Sequence, residues 1–225
     1  MEQPNENLEA QAFAVFEEQF GSAYYDNCLP SGWKKLKLET ICTVKGGKRL
    51  PSESELLNIR TNHPYIRVRD VGVSRYLCLT NQFQFIDEDT YQQISRYTVN
   101  TDDIIISIVG TIGLIGKIHS SLNNANLTEN CVKLTDIKLV TPDYLYYTLC
   151  LKRKNKEIDL LTVGAVQAKL PIYNIQSIEI VVPPESMISQ FQSGINVLNS
   201  QIENNTIEIQ HLETLESTLL SKLSI

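Results

Sequence analysis

The stretch "IVGTIGLIGKI" (residues 108–118) places glycines at 110, 113 and 116 and a lysine directly after the last. These are the residue types that wrap backbone amides around a phosphate. Their spacing does not support that chemistry. A P-loop requires a glycine five positions before Gly116, where Thr111 stands, and a Ser or Thr where Ile118 stands. A dinucleotide fingerprint would open a helix, but the residues between these glycines are Leu or β-branched and favour strands. "GTIG" formally matches the loop with which K-homology domains clamp a nucleic-acid backbone, a match of only four residues. The pattern that remains is strand, turn, strand. Gly110 and Gly113 bracket the turn, and Gly116 marks a bulge or a close approach between backbones.

Catalytic constellations are thin. Asp102 and Asp103 pair two carboxylates, yet "VNTDDIII" reads as a turn entering a strand. His63, His119 and His211 are isolated, with no Ser or Cys in a nucleophile setting beside them. The five cysteines (28, 42, 78, 131, 150) form no C-x-x-C pair and no Cys/His cluster, so neither a zinc site nor a disulfide framework is expected. A reducing cytoplasm suits them, and the N-terminus shows no secretion signal. Covalent catalysis, a metal and a cofactor are all unexpected for this chain.

Basic groups are more suggestive. "VKGGKRLPS" puts Lys45, Lys48 and Arg49 on a turn, and Arg67, Arg69 and Arg75 follow near Tyr65 and Tyr76. Arg can meet guanine O6 and N7 with two hydrogen bonds, while Lys mostly meets phosphate. "KRKNK" (152–156) is a charge run of the kind that often marks a solvated helix end. The net charge of −6 conceals a partition: residues 1–30 carry six acids and no base, 31–182 carry 19 Lys/Arg against 15 Asp/Glu, and 183–225 carry five acids and one lysine. A mildly basic middle between acidic ends leaves nucleic acid open as a partner, beside a solvated surface of mixed sign.

The elements that must position these groups follow from periodicity. "NENLEAQAFAVFEEQF" (5–20) repeats Leu8, Ala12, Val15, Phe16 and Phe20 at helical spacing and should stop at Gly21. "LPSGW" (29–33) is a turn and a boundary. Strands are expected at 41–44, 65–71, 83–86, 103–109, 114–118, 130–135 and 176–184. The segment 103–109 is apolar enough to lose its alternation. A helix over 141–154 has Thr141 as N-cap, Pro142 in its first turn and basic residues at its end. After Pro183-Pro184, Ile188, Phe191, Ile195, Leu198, Ile202, Asn205, Ile209, Leu212, Glu216, Leu219 and Leu223 step by three and four. This is a helix of roughly 54 Å with a narrow seam, which calls for a partner helix. Packing along its own domain is the alternative. With 42 % hydrophobic residues and no stretch of membrane-spanning length, the whole reads as an α+β protein. A short N-terminal helix (1–28) precedes a strand-rich globular domain (29–184) and a long coiled-coil helix (185–225).

The order "LPSGWKKLKL", "VKGGKRLPS", "PYIRVRDV", "DIIISIVGTIGLIGKI", "NLTENCVKL", "YLYYTL", "VGAVQAKL" and "IEIVVPPESMISQF", then a heptad helix ending "LETLESTLLSKL", resembles the specificity subunits of type I restriction-modification systems. Members usually carry two target recognition domains separated by conserved helices. This chain has one of each, so it resembles a half-length form. The resemblance implies a non-catalytic module that reads double-stranded DNA and docks methyltransferase subunits and, in the full system, a restriction subunit. S-adenosylmethionine and ATP would then belong to those partners. It also implies Thr111, Lys117, Gln167 and Lys169 as further DNA contacts, although "VGAVQAKL" departs from the commoner Ser or Thr after the glycine.

The resemblance further implies a target of two short blocks with a fixed spacer, one block to each recognition domain, so a half subunit needs a second copy. A two-fold homodimer on a palindromic split site is expected, and the resemblance implies that antiparallel C-terminal helices set its spacer. Residues 188–223 pairing about their midpoint would place Asn205 against its own copy. Two rivals stand beside this: a parallel coil, and an orphan coiled-coil protein that binds methyltransferase without productive DNA recognition.

Overall fold

A computed structural model describes residues 5–25, 29–72, 74–164 and 167–223; the side chains at 210, 213, 217, 220, 221 and 223 lie outside that description, as does Cys28. The seam residue Leu223 is therefore placed by its backbone only.

Helix α1 spans Glu6–Tyr25 and does not stop at Gly21. Gly21 is buried within it, and a methyl group there would meet only ordinary contacts at 3.8 Å. The last turn is held by tertiary bonds: the Tyr24 hydroxyl lies 2.9 Å from the Thr148 hydroxyl and 3.1 Å from that of Tyr144. Packing thus overrides the weak helix preference of glycine.

After the turn at Gly32, β1 (Lys34–Lys37), the single-turn helix α2 (Leu38–Ile41) and β2 (Thr43–Gly46) follow. Strand β3 (His63–Ile66) is shorter than expected, because Val68–Asp70 coils into a 3-10 turn. The Asp70 carboxylate accepts the Arg67 backbone N–H at 2.8 Å and folds the chain back where alternation suggested a strand. Strands β4 (Tyr76–Leu77) and β5 (Gln84–Ile86) lead to α3 (Glu88–Ile94), a helix the apolar pattern did not announce. Its cap is nonetheless written in the sequence, since Asp87 accepts the Thr90 N–H at 2.7 Å. Next come β6 (Ile104–Ser107), β7 (Ile115–Ile118), β8 (Asn126–Leu127) and β9 (Cys131–Thr135). Helix α4 (Pro142–Lys154) is capped as expected, with Thr141 Oγ1 accepting the Tyr144 N–H at 3.2 Å. The short α5 (Ile172–Gln176) precedes β10 (Glu179–Val182) and the 39-residue α6 (Glu185–Leu223).

Five strands form one sheet in the order β2-β9-β6-β7-β4, antiparallel except for the β4/β7 pair. A second sheet is ordered β5-β3-β8, and β1 pairs with β10 as a two-stranded ribbon. Central strand β6 is buried on both faces, which is why its sequence shows no alternation. Ile104 and Ile106 join the core shared with α1, α4 and α6, while Ile105 joins the core beneath β3 and β5. Gly116 marks a close approach, since a Cβ there would lie 1.9 Å from Leu77 Cδ1 across the β4/β7 pair.

Helix α1 lies antiparallel along α6. Phe16 and Phe20 sit 5.8 and 5.3 Å from Phe191, whereas Asn5 donates to Thr206 Oγ1 at 2.9 Å. Ile188, Phe191, Ile195 and Ile202 are buried against their own chain, with Leu198 packed at the edge of that core. For this half of the seam, the helix packs along its own domain. The partner is α1, an element the heptad pattern alone could not choose. Asn205 follows suit, donating to Asn5 Oδ1 at 3.0 Å rather than lying free. Beyond it the stripe is open: Leu212, Leu215 and Leu219 are about 60 % exposed.

Candidate nucleic-acid interface

The register of the large sheet gathers several loops at one end. Gly46 pairs with Val132 and Ser107 with Cys131, so the chain leaving β2, the turn entering β9 and the glycine turn after β6 are neighbours. Ile108 donates to Asn130 O at 2.8 Å, and Gly47 donates to Cys131 O at 3.0 Å. Ser107 organises the glycine turn: its hydroxyl donates to Thr111 O at 2.6 Å and accepts from the Leu114 N–H at 2.8 Å. Gly110 and Gly113 have φ of +79° and +78°, a conformation that glycine adopts without penalty. The reading of strand, glycine turn, strand matches the fold here.

Lys169 joins this end through antiparallel bridges to Val109 and to Val163. Strand β3 arrives there too, since Thr128 donates to Ile66 O at 3.0 Å, and the Tyr65 hydroxyl donates to Lys48 O at 2.8 Å. Lys48, Arg49, Arg69, Thr111, Gln167 and Lys169 are all exposed on these loops, and Lys45 is exposed on β2 beside them.

Their electrostatic settings differ. Arg49 is 81 % exposed and donates from Nε to Glu129 Oε1 at 2.6 Å, which raises its own pKa. Partial burial would raise the Glu129 carboxyl, but its bonds to Arg49 and Thr128 hold it below its usual value. Arg67 is engaged by its own fold. Its guanidinium grips Asp70 with Nε and Nη2 at 3.0 and 2.9 Å and also donates to Gln84 Oε1 and Gln82 O. Arg69, 66 % exposed and 3.9 Å from Asp70, keeps its donors open to solvent.

Two expected contacts lie elsewhere. Arg75 and Lys117 are buried, with side-chain exposures of 0 and 8 %, and both ion-pair with Asp143 of α4. Arg75 also donates to the Tyr147 hydroxyl at 2.6 Å and to Asn199 Oδ1 of α6. Burial opposes the Arg75 charge, and Tyr147 and Asp143 outweigh it, so the group stays cationic. Neither side chain has surface with which to meet a duplex, and both hold elements together instead. Counting charges along the chain could not find this, because the anion that pairs them lies 26 residues or more away. Of the "KRKNK" run, Lys152 pairs with Glu157 and Lys154 with Glu17 of α1, both as a helix end that packs.

Exposed Lys and Arg from separate loops thus share one end of the sheet, and the long helix leaves the body elsewhere. The sequence model for the type I restriction-modification DNA specificity domain matches residues 30–217, and the chain belongs to that family. It is 25 % identical over 207 residues to the type I restriction enzyme MjaIX specificity subunit of Methanocaldococcus jannaschii, covering 88 % of this chain and 45 % of that one. It is 24 % identical over 196 residues to the HindI specificity subunit of Haemophilus influenzae, covering 87 % and 41 %. The chain thus spans less than half the length of these relatives and contains one unit the size of a recognition domain. Among solved structures, the fold resembles the HsdS subunit from Thermoanaerobacter tengcongensis (TM-score 0.59, 16 % identity, 97 % of this chain and 50 % of that one). It likewise resembles the type I S subunit from M. genitalium (TM-score 0.63, 21 % identity, 97 % and 54 %). Among the described residues, no helix is long and apolar enough to cross a membrane.

Proposed function

We propose that this chain is the DNA-reading module of a type I restriction-modification system. It has no catalysis of its own and directs methyltransferase subunits, and a restriction subunit where one exists, to a split target. Residues 29–184 act as the target recognition domain, with 1–28 and 185–225 as the helical parts that assemble. The observation that carries this reading is the convergence of Lys45, Lys48, Arg49, Arg69, Thr111, Gln167 and Lys169 at one end of the sheet, supported by family membership. Phosphate contacts from lysines would position the module, and Arg69 is the best placed to meet a base edge with both donors.

A second copy completes the reader. Because α1 fills the seam from 188 to 206, the contact between copies falls to the exposed stripe of Leu212, Leu215 and Leu219. An antiparallel pairing there is centred near residue 215 instead of Asn205, which lengthens the reach between the two recognition domains. Sequencing methylated bases in cells that carry this chain with its methyltransferase tests the whole proposal. A palindromic split motif is the expected result. A complex that forms and methylates no defined motif would instead establish an orphan interaction protein.

A further inference from the structure

We infer that Asp143 is the joint that sets the direction in which α6 leaves the globular body, and is thereby a positioning residue for the distance between the recognition face and the far end of that helix. The joint rests on geometry alone; its consequence for DNA spacing rests on the function proposed above.

One carboxylate ties four elements. Asp143 lies in the first turn of α4, where the helix dipole favours an anion. Its Oδ1 accepts from Lys117 Nζ of β7 at 2.7 Å and from Arg75 Nη2, at the entry to β4, at 2.5 Å. Its Oδ2 accepts from two residues of α6, Gln192 Nε2 at 2.7 Å and Asn199 Nδ2 at 2.9 Å. The Asn199 amide is gripped at both ends, since its oxygen accepts from Arg75 while its nitrogen donates to Asp143. Gln192 and Asn199 are seven residues apart, two helical turns along one face, so the carboxylate fixes rotation of α6 as well as its approach.

The other contacts to α6 involve less charge. The buried Asn5 amide donates to Ile202 O and Thr206 Oγ1 at 3.1 and 2.9 Å and accepts from Asn205 at 3.0 Å. These neutral groups hold α6 to the start of α1 and not to the sheet or α4. The Phe16, Phe20 and Phe191 packing is apolar and largely non-directional. Farther out, His119 pairs with Glu203 at one half-buried point, and the Asn81 bond to Thr214 lies at the surface, where such contacts contribute little. Among the described residues, the Asp143 cluster is the contact that ties α6 through a buried charged group, at Gln192 and at Asn199. From Asn199 to Leu223 the helix extends about 36 Å, so a tilt of about 10° at the joint moves its end by about 6 Å. That is close to two base-pair steps of about 3.4 Å each.

The direct test places nitroxide labels on ketone-bearing residues at Asn100 of the body and Lys222 of α6, with labelled chain diluted in unlabelled chain. Distances between labels are compared for wild type, Asp143→Asn and the double variant Gln192→Ala/Asn199→Ala. The double variant leaves Arg75, Lys117 and Asp143 paired within the body, so it carries the test where Asp143→Asn unfolds the chain. The expected result is a distance distribution shifted or broadened by several ångströms, with a control pair at Ser52 and Asn100 unchanged. Ser200→Ala, on the exposed face of α6, should match wild type in both. On split DNA sites with varied spacers, wild type should prefer one length at least tenfold, and the double variant should accept neighbouring lengths within about threefold at unchanged half-site affinity. A folded double variant with wild-type label distances overturns the joint. Wild type that binds no split site would instead remove the proposed function, while the label distances still decide the joint.

Discussion

Replacing Gly47 by alanine tests whether the turn bearing Lys48 and Arg49 is built against the β8–β9 turn as described. A Cβ at residue 47 would lie 2.1 Å from Thr128 O and 2.3 Å from Leu127 O, both backbone atoms that no rotamer change can move. The turn itself must shift, at the expense of the Gly47 N–H bond to Cys131 O (3.0 Å) and the Lys48 N–H bond to Leu127 O (2.8 Å). Overpacking costs about 1–3 kcal/mol and each lost bond about 0.5–1.5 kcal/mol. Movement relieves part of the clash, so the terms do not add in full, and about 2–4 kcal/mol is expected. For a chain of this length that lowers Tm by roughly 5–15 °C. Gly46→Ala is the matched control, because its Cβ would meet only Ile172 Cδ1 at 3.5 Å, an ordinary contact. Thermal unfolding and fluorescence anisotropy with a labelled duplex give stability and binding for the two variants. Gly47→Ala should lose both stability and DNA affinity, and Gly46→Ala should stay close to wild type. Equal stability of the two variants within about 0.5 kcal/mol would refute the close approach, and with it the placement of Lys48 and Arg49.

Further tests separate the roles of the charged groups and the seam. Arg69→Ala should weaken duplex binding by about 1–3 kcal/mol with little change in Tm, if Arg69 reads a base. Arg67→Ala should chiefly lower stability, because its guanidinium holds Asp70, Gln82 and Gln84. Leu212→Asp/Leu219→Asp should convert a dimer to monomer by sedimentation while leaving the unfolding of the globular body unchanged, since both side chains are exposed in the single chain. Burial pushes the Cys42 and Cys131 thiols up to about 12. At pH 8 their thiolate fraction is then roughly a thousandfold below that of a free cysteine, and alkylation followed by mass spectrometry should find them unmodified in the folded protein.

The family, the α+β class and most elements are legible in the residues, because each of those signals is local. Thr141-Pro142 announces α4, two glycines at positive φ announce the turn after β6, and a buried run of isoleucines announces the central strand. Asp87 likewise marks the start of α3, although apolar periodicity passes over a helix of seven residues. Which basic residues can face a partner is another matter. Arg67, Arg69 and Arg75 are the same residue type within nine positions, yet one is clamped by Asp70, one is open and one is buried on Asp143. The heptad of α6 is equally ambiguous, since an apolar stripe records that something must cover it and not what does. The sequence by itself determined that the chain has a strand-rich reader and a long seamed helix, because propensity, capping and period are properties of neighbouring residues. Only the tertiary structure decided that α1 covers the first half of the seam and that Asp143 gathers Arg75, Lys117, Gln192 and Asn199. Those choices depend on charges and surfaces that meet across up to about 200 residues of chain.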